Sequence, residues 1–394
     1  MASETTPRAR RISATLRQGE SVTPLELFFD LVFVLAITQC TQLMADQPTW
    51  EGIAKGLLVL AVLWWSWIGY AWLTSVVDPE EGAVRLVIFA AMAGLLVCSL
   101  AVPDAFGESA FEFAVAYSIV RTAHIALFWI ASEDDSKLRG STTTLGMSTA
   151  IACLVLFGAS FLDGAAQGAA WIAAIVIDFG GPYLFRAEGW KLIPEHFAER
   201  HGLIIIIALG ESIVAIGAGV TGALTVGIIA TAVVGVILAA MMWWAYFDTV
   251  ALASTRRLAH VEDRQERNEM ARDSYSYLHL PMVAGIVLVA LGMKKTIGHF
   301  DEPLKVETAT ALLGGFSMYL LAHVAFRLRN VHSTAWRRLF VGIGVLALIP
   351  AGVELPALAT LSILTAIACA LIAYETIRFA EFRDRVRHQM TEAT

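Results

Sequence analysis

Ionisable side chains recur inside long apolar stretches of this sequence, where a charged group is costly unless it is paired or hydrated. Five of them are the candidates for an ion or proton pathway: Asp30, Arg121, His124, Asp178 and Glu211. Arg121 and His124 lie three residues apart and therefore share one helix face. Carboxylates, an imidazole and a guanidinium can bind ions or relay protons, so the set predicts permeation chemistry.

Arg121 keeps its charge at any depth and therefore needs a carboxylate partner. Asp30, Asp178 and Glu211 are the candidates for that partner. A polar cavity is the functional interpretation, and a buried ion pair that locks helices together is the structural alternative. The set contains more acids than one arginine can neutralise. An acid left unpaired, such as Glu211, is expected to hold a proton that it can hand on.

A second group of candidates lies nearer the ends of the apolar stretches or among their aromatic residues. It contains Glu26, Glu199, Arg200, Trp243, Asp248 and His279. Capping or snorkelling is favoured over a functional role for Glu26 and Asp248. Packing is favoured for His279. It is also favoured for the tryptophans that cluster in the second and eighth predicted helices, for which a hydrophobic gate is the functional alternative: Trp64, Trp65, Trp67, Trp243 and Trp244.

Metal-binding and catalytic motifs are missing from the sequence. His196 and His201 are five residues apart and do not share a face as the four-apart histidines of a zinc helix do. The four cysteines fall in apolar segments, without disulfide or metal spacing. No HExxH, serine–histidine or cofactor motif occurs. We therefore predict no catalytic residue, metal or cofactor, and an enzyme is the less favoured interpretation.

Membrane helices are the elements that must position these residues. The 394 residues are 57% hydrophobic and 16% charged, whereas soluble domains are about 25% charged. A hydrocarbon core of about 30 Å needs roughly 20 apolar residues per helix. The predicted fold class is all-α, a polytopic membrane helix bundle of about 12 transmembrane helices. The predicted spans are 24–45, 53–75, 84–102, 111–131, 143–162, 166–185, 198–219, 224–250, 275–296, 307–327, 337–353 and 357–378.

The basic residues fall almost entirely on one side of this arrangement. Of the 28 Lys and Arg residues, only Lys55, Lys294, Lys295 and Lys305 fall on the other side, and Arg121 lies within a helix. The positive-inside rule then predicts cytoplasmic termini in a multi-pass protein of the bacterial inner (plasma) membrane. This topology explains the basic residues, so nucleic acid is not an expected partner. The expected partners are membrane lipids and either ions or a small solute. The sequence leaves open whether the protein is a homodimer.

Features of the first half recur in the second half in the same order. Asp30 and Glu211 occupy corresponding helices, as do Asp178 and Glu375. An even number of helices per unit predicts two parallel six-helix repeats, an architecture of transporters and channels. The predicted organisation is a cytoplasmic tail over 1–21, repeats over 22–190 and 191–380, and a cytoplasmic tail over 381–394.

Five stretches match a known pattern in order and spacing. They are Leu25–Val34, Arg121–His124, Glu199–Gly202 with Leu209–Ser212, Trp243–Asp248 and Tyr277–Pro281. Together they resemble the bacterial low temperature requirement A family over almost the whole chain. The resemblance implies a membrane protein that is linked by name to growth in the cold, and it supplies no biochemical activity.

The first helix carries a second resemblance. The run Phe28–Thr38 is similar to the first helix of the lysosomal potassium/proton channel family. That family also has two parallel six-helix repeats and an aromatic-rich second helix. Here Phe29 replaces its small hydroxyl residue, and Gly210–Glu211 replaces its second motif. Both departures argue against potassium selectivity.

The predicted function is therefore an ion (cation or proton) or small-solute channel or transporter, in which acids and Arg121 line a polar cavity. The alternative is a membrane-embedded enzyme or sensor that acts on lipid at the cytoplasmic face, near His124, His279, Glu199 and Asp248. The longest junction, roughly 251–274, mixes basic and acidic residues and is predicted to be a solvated helix extension.

Overall fold

The computed structural model describes residues 21–80, 82–184, 189–220, 222–248 and 250–378. Over these ranges the elements of secondary structure are helices. No β-strand occurs among the described residues, and the one β-type contact is an isolated bridge between Pro303 and Pro356. Eleven of the described helices are long and apolar enough to cross a membrane. The prediction of an all-α polytopic bundle is confirmed. Apart from Ser21, the predicted tails over 1–21 and 381–394 lie outside the described residues.

The helices are numbered here in chain order. They are α1 (Pro24–Asp46), α2 (Trp50–Val76), α3 (Gly82–Ala101), α4 (Ala110–Ala131), α5 (Ser136–Ala159), α6 (Gly164–Leu184), α7 (Pro194–Gly219), α8 (Val226–Phe247), α9 (Val250–Ala259), α10 (Arg264–Met270), α11 (His279–Gly298), α12 (Val306–Val331), α13 (Trp336–Leu346), α14 (Ile349–Gly352) and α15 (Ala357–Arg378). A 3₁₀ turn, Val102–Asp104, follows α3, and a π-helical segment, Ala271–Tyr277, joins α10 to α11. We call the end of the bundle that carries the starts of α1 and α7 the basic end.

Local chemistry explains where several helices begin and end. Thr23 caps α1 and forms a capping box with Glu26, which gives Glu26 the capping role that the sequence favours. The Asp135 side chain accepts from two backbone amides, so α5 begins earlier than its predicted start at 143. The predicted span over 337–353 is divided into α13 and α14. Pro350 lacks the N–H that a continuous helix would need there.

The centre of the bundle is formed by α2 and α11. In the most apolar stretch of α2, and in that of the span that contains α11, 78% of the residues are buried. The corresponding share for α6, which lies at the periphery, is 28%. α11 packs on α7 and α12, while α1 packs on α2, α3, α7 and α11. Residues on α1, α2 and α7 therefore face one another in the interior.

Two glycines let α11 and α12 approach closely. A Cβ added at Gly315 would lie 2.7 Å from the Gly285 carbonyl oxygen, and one at Gly285 would lie 2.6 Å from that of Gly315. Such distances require the backbones to separate, because no flexible side chain can yield. Small residues at membrane helix contacts permit this packing.

We expect Gly315→Ala to destabilise the protein by about 1–3 kcal/mol, as overpacking of a close helix contact does. Thermal unfolding of the purified protein in detergent measures the effect. Gly314→Ala is the matched control, since its added Cβ meets nothing nearer than 3.6 Å. Equal melting temperatures for the two variants would contradict the close approach.

Candidate functional site

Asp30 lies in a buried cluster of charges that joins three helices. Its Oδ1 accepts from Arg200 Nη2 at 2.5 Å and from Trp67 Nε1 at 2.8 Å. Arg200 Nη1 also donates to Glu26 Oε1 at 3.4 Å and to Thr74 Oγ1 at 2.9 Å. Asp30 and Arg200 are each only 1% exposed. Two acids of α1 therefore share one arginine of α7, against the polar side chains of α2.

His196 completes this cluster without forming a metal site. Its Nε2 lies 2.9 Å from Glu26 Oε1, and its Nδ1 lies 3.0 Å from Ser75 Oγ. His201 instead bonds through Nδ1 to the Phe197 carbonyl of its own helix at 2.7 Å. Among the residues that the structure describes, no group of three His, Cys, Asp or Glu side chains is arranged to hold a metal ion.

Arg121 forms a second buried cluster. Its Nη2 donates to Asp178 Oδ1 at 2.9 Å and to Thr149 Oγ1 at 2.8 Å. Thr149 also donates to Asp178 Oδ1 at 3.0 Å, and Arg121 Nη1 donates to the Trp65 carbonyl at 3.2 Å. Of the three acids that the sequence offered as partners, Asp178 is the one that pairs with Arg121. The cluster joins α2, α4, α5 and α6.

Glu211 differs from the other three buried acids described above, Glu26, Asp30 and Asp178, each of which lies beside an arginine. It is 2% exposed, and its Oε2 accepts from the Thr38 hydroxyl at 2.5 Å. Within the described part of the chain, no basic side chain lies at ion-pair distance from it. Nearby, Lys294 on α11 donates to the Gln42 amide oxygen on α1. The predicted pathway residues therefore occupy three separate environments, not one shared cavity.

A cavity of about 300 Å³ opens at the basic end between α2, α4, α5, α6 and α10. Its walls are largely aromatic: Trp65, Trp72, Phe128, Tyr183 and Trp190. Arg121 and His124 line it about halfway along α4, and Gln265, Glu269 and Arg272 line it at the basic end. Of the five predicted pathway residues, this cavity brings together Arg121 and His124.

Several polar atoms of the cavity lining have no hydrogen-bond partner in the protein. They are Arg121 Nε, both ring nitrogens of His124, Trp190 Nε1 and Asn268 Oδ1. All four side chains are buried, with at most 7% exposure. Leaving buried donors and acceptors unpaired costs about 1–3 kcal/mol each. A water or polar solute that contacts these atoms would satisfy them.

The segment that closes one side of the cavity differs from its predicted form. The sequence predicts a solvated extension over 251–274, but Asn268 and Met270 of α10 are buried. Trp72 Nε1 donates to Ser276 Oγ at 2.9 Å, and Trp64 Nε1 to the Ser276 carbonyl at 2.8 Å. These bonds hold the π-helical segment against α2. The sequence did not predict this packing, because the buried residues are interspersed with acids and arginines that are typical of a solvated helix.

Arg272 holds the mouth of the cavity in place. Its Nε and Nη2 lie 2.9 and 2.8 Å from Asp273 Oδ1, and its Nη1 donates to the Pro182 carbonyl at 3.2 Å. The guanidinium stacks 4.1 Å from the Tyr183 ring centroid. Arg329 also binds Asp273, at 3.0 Å. Sequence reasoning placed Arg272 and Arg329 in junctions and did not connect either with a site.

The secondary candidates at the helix ends and on α8 do not line this cavity. Trp243 is 45% exposed on α8 and does not line the cavity. Of the tryptophans clustered on α2 and α8, the buried ones are on α2: Trp64, Trp65 and Trp67. Glu199 is exposed and accepts from the Val22 amide at 3.1 Å. Asp248 is the partly buried C-cap of α8.

His279 is a fully bonded histidine of the core. Its Nδ1 lies 3.0 Å from the Ser274 carbonyl and therefore carries the proton. Its Nε2 then accepts from the Tyr246 hydroxyl at 2.9 Å. The ring stacks on Tyr275 with centroids 5.1 Å apart. Both nitrogens are occupied, which is the packing role that the sequence favours.

Comparison with known proteins identifies the relatives of the chain. The family described as bacterial low temperature requirement A protein (LtrA) matches residues 21–373. A protein of Rhizobium meliloti (strain 1021), named "Uncharacterized protein RA0937", is 30% identical over 307 residues, covering 75% of this chain and 74% of the relative. No solved structure matches the chain significantly. With its membrane-spanning helices, the chain therefore belongs to the bacterial low temperature requirement A family.

Proposed function

We propose that the protein is a transporter that binds a small organic solute in the cavity at the basic end and couples its movement to protons at Glu211. The observation that carries the proposal is the cavity itself, which extends to Arg121 and His124 in the middle of the bundle. Its volume of about 300 Å³ is at the lower end for small-molecule pockets, about 300–1,000 Å³. A bare ion needs far less space.

The region behind the cavity favours a transporter over an open channel. The Arg121–Asp178 pair and Trp65 lie between the cavity and a second void of about 10 Å³ beside Tyr117. That void has room for about one water molecule. A site reached from one side and closed on the other is the arrangement that alternating access requires.

Glu211 is the buried acid that we assign to proton coupling. Asp30 and Asp178 are each paired with an arginine. Glu211 has a hydroxyl partner and, within the described ranges, no arginine at ion-pair distance. A carboxyl with such partners can lose and regain a proton without breaking an ion pair. Asp30 and Glu211 occupy corresponding helices of the two predicted repeats, and of these two acids we assign Glu211 as the proton carrier.

We place the basic end in the cytoplasm of a bacterial cell, with the protein in the plasma membrane and both termini inside. The bias of Lys and Arg towards this end supports that orientation. In it the cavity opens to the cytoplasm, and the start of α11 and the segment before it cover one side of the opening. We also propose that the bundle consists of two parallel six-helix repeats and that the protein can form a homodimer.

Uptake by proteoliposomes tests the proposed function. The solutes are 2-naphthoate, 2-naphthamide and 2-naphthylmethylamine, which differ in the charge of one substituent and are followed by their fluorescence. We expect at least one to enter protein-containing vesicles faster than protein-free vesicles, at a rate that depends on an imposed proton gradient. If none of these, and no aliphatic carboxylate, amide or amine of similar size, enters faster with or without the gradient, the proposed function is wrong.

We expect Glu211→Gln to remove the dependence of this uptake on the proton gradient. Glutamine keeps the size and hydrogen-bonding capacity of the protonated acid but cannot release a proton. Exchange of labelled for unlabelled solute at equal pH should persist, which separates coupling from binding. Glu51→Gln is the control, since Glu51 is an exposed acid that pairs with Lys55 on α2. A variant at Glu211 that still follows the gradient would contradict the assignment.

A further inference from the structure

We infer that the solute of this cavity is a small planar aromatic carboxylate, with its carboxylate at Arg121 and His124 and its ring between the tryptophans. The inference rests on the proposed function and names the substrate class of the same site. Three independent features of the lining carry it: its unpaired polar atoms, its charges and its aromatic walls.

The unpaired polar atoms of the lining are mainly donors. Arg121 Nε and Trp190 Nε1 can only donate, and His124 has one donor when its ring is neutral. Asn268 Oδ1 and the second nitrogen of His124 are the acceptors. A ligand that satisfies the donors must bring several acceptor lone pairs. A carboxylate brings about four lone-pair sites on two oxygens and no donor of its own.

The charges at the inner end of the cavity favour the same group. Among the described residues that line the cavity, Glu269 is the one acid, and it lies on α10 at the basic end. Asp178 sits behind Arg121 and does not line the cavity. A bound anion therefore meets Arg121 on the side away from Asp178, whereas a bound cation would meet the guanidinium with no acid on the cavity side.

The walls of the cavity suit a flat ring. Trp65 stacks on Phe179 with centroids 4.1 Å apart, which fixes the plane of its indole. Trp190 is fixed by edge contacts with Trp72 and Phe128, at 5.5 and 4.7 Å. Stacked and edge-to-face aromatic pairs attract one another beyond the burial of their area. A planar aromatic ring can use these preformed faces without ordering any side chain.

The test compares the three naphthyl compounds as ligands of the full-length protein in lipid nanodiscs, by isothermal titration calorimetry. We expect 2-naphthoate to bind at least tenfold more tightly than 2-naphthamide or 2-naphthylmethylamine. The preference follows because a hydrogen bond to a charged group is roughly twice as strong as one between neutral groups. The compounds share one ring system, so the comparison isolates the charged group.

Two variants connect this preference with the named residues. A Cβ at Gly69 would lie 2.8 Å from His124 Cε1 and 3.0 Å from Arg121 Nη1, so Gly69→Ala should weaken 2-naphthoate binding at least tenfold. Gly140→Ala is the matched control, because nothing lies within 4 Å of its added Cβ. If Gly69→Ala fails to fold, Trp190→Phe replaces it. That change removes the Nε1 donor and should weaken 2-naphthoate severalfold more than it weakens 2-naphthamide.

Each result that overturns the inference is distinct from failure of the proposed function. Equal or tighter binding of the amide or the amine overturns the carboxylate assignment, and uptake of that compound leaves the transporter intact. If none of the three binds, the aromatic assignment is wrong as well. Vesicle uptake then decides separately whether the transport proposal also fails. Unchanged 2-naphthoate binding in both Gly69→Ala and Trp190→Phe would overturn the location.

Discussion

Replacing Arg200 with methionine should destabilise the protein by about 3–5 kcal/mol, the cost of removing one partner from a buried ion pair. The substitution leaves Glu26 and Asp30 buried on one helix face without a cation. It also removes the bond from Arg200 to Thr74, so α1, α2 and α7 lose a shared anchor. Thermal unfolding in detergent, followed by size-exclusion chromatography of the soluble fraction, measures the loss.

The neighbouring residue supplies a matched control for this prediction. Glu199 precedes Arg200 on α7 but is exposed, so Glu199→Gln should change stability by about 0.5 kcal/mol or less. The double variant Asp30→Asn with Arg200→Met should recover part of the loss, since contacting residues are not additive. Normal melting of Arg200→Met alone would show that the cluster does not hold these helices together.

The helices could be predicted from sequence because the bilayer imposes both their length and their hydrophobicity. The predicted start of the first span at 24 coincides with the start of α1, which Thr23 and Glu26 cap. The break between α13 and α14 was less visible, because the sequence on either side of Pro350 stays apolar. Periodicity detects an apolar run, whereas a single proline decides whether that run forms one helix or two.

Buried arginines were the least predictable part of the fold. Arg200 and Arg338 counted towards the basic side of the membrane, but both are buried, at 1% and 3% exposure. Arg338 pairs with Glu375 at 3.0 and 2.7 Å, and it donates to the Ala245 carbonyl at 3.0 Å. A charge at the edge of an apolar run looks the same whether it faces water or a partner helix. The pairing becomes visible only when the helices are assembled.

The two acids that sequence matching placed in corresponding helices have similar surroundings. Asp178 accepts from Arg121, which also donates to the Trp65 carbonyl of α2. Glu375 accepts from Arg338, which also donates to the Ala245 carbonyl of α8. This parallel agrees with the predicted repeat. The two arginines, however, come from α4 and α13, so the repeat stays a prediction.

The cavity could not have been predicted from one sequence. Its lining comes from α2, α4, α5, α6 and α10, elements that are far apart in the chain. Arg121 and His124 were identified because ionisable residues are conspicuous in apolar runs. Trp190 and Asn268 were not, since a tryptophan and an asparagine near a helix end look ordinary. Their significance lies in polar atoms that have no partner in the assembled bundle.

Arg121→Lys should reduce solute uptake by about 10- to 100-fold, the loss expected when a charge-assisted hydrogen bond of about 1.5–3 kcal/mol is removed. Lysine retains a positive charge for Asp178, so the ion pair that joins α4 to α6 can persist. It lacks the Nε donor, the one guanidinium nitrogen of Arg121 that has no partner in the protein. The effect on transport should therefore exceed the effect on stability.

Measuring uptake and melting temperature on the same preparation separates these two roles of Arg121. Arg139→Lys is the matched control, since Arg139 stacks on Trp129 at 4.2 Å near the start of α5 and does not line the cavity. It should transport at the rate of the unchanged protein. If Arg121→Lys folds and also transports at that rate, Arg121 is a structural ion-pair partner alone. Solute recognition would then have to come from His124 and Trp190, which the Trp190→Phe titration measures directly.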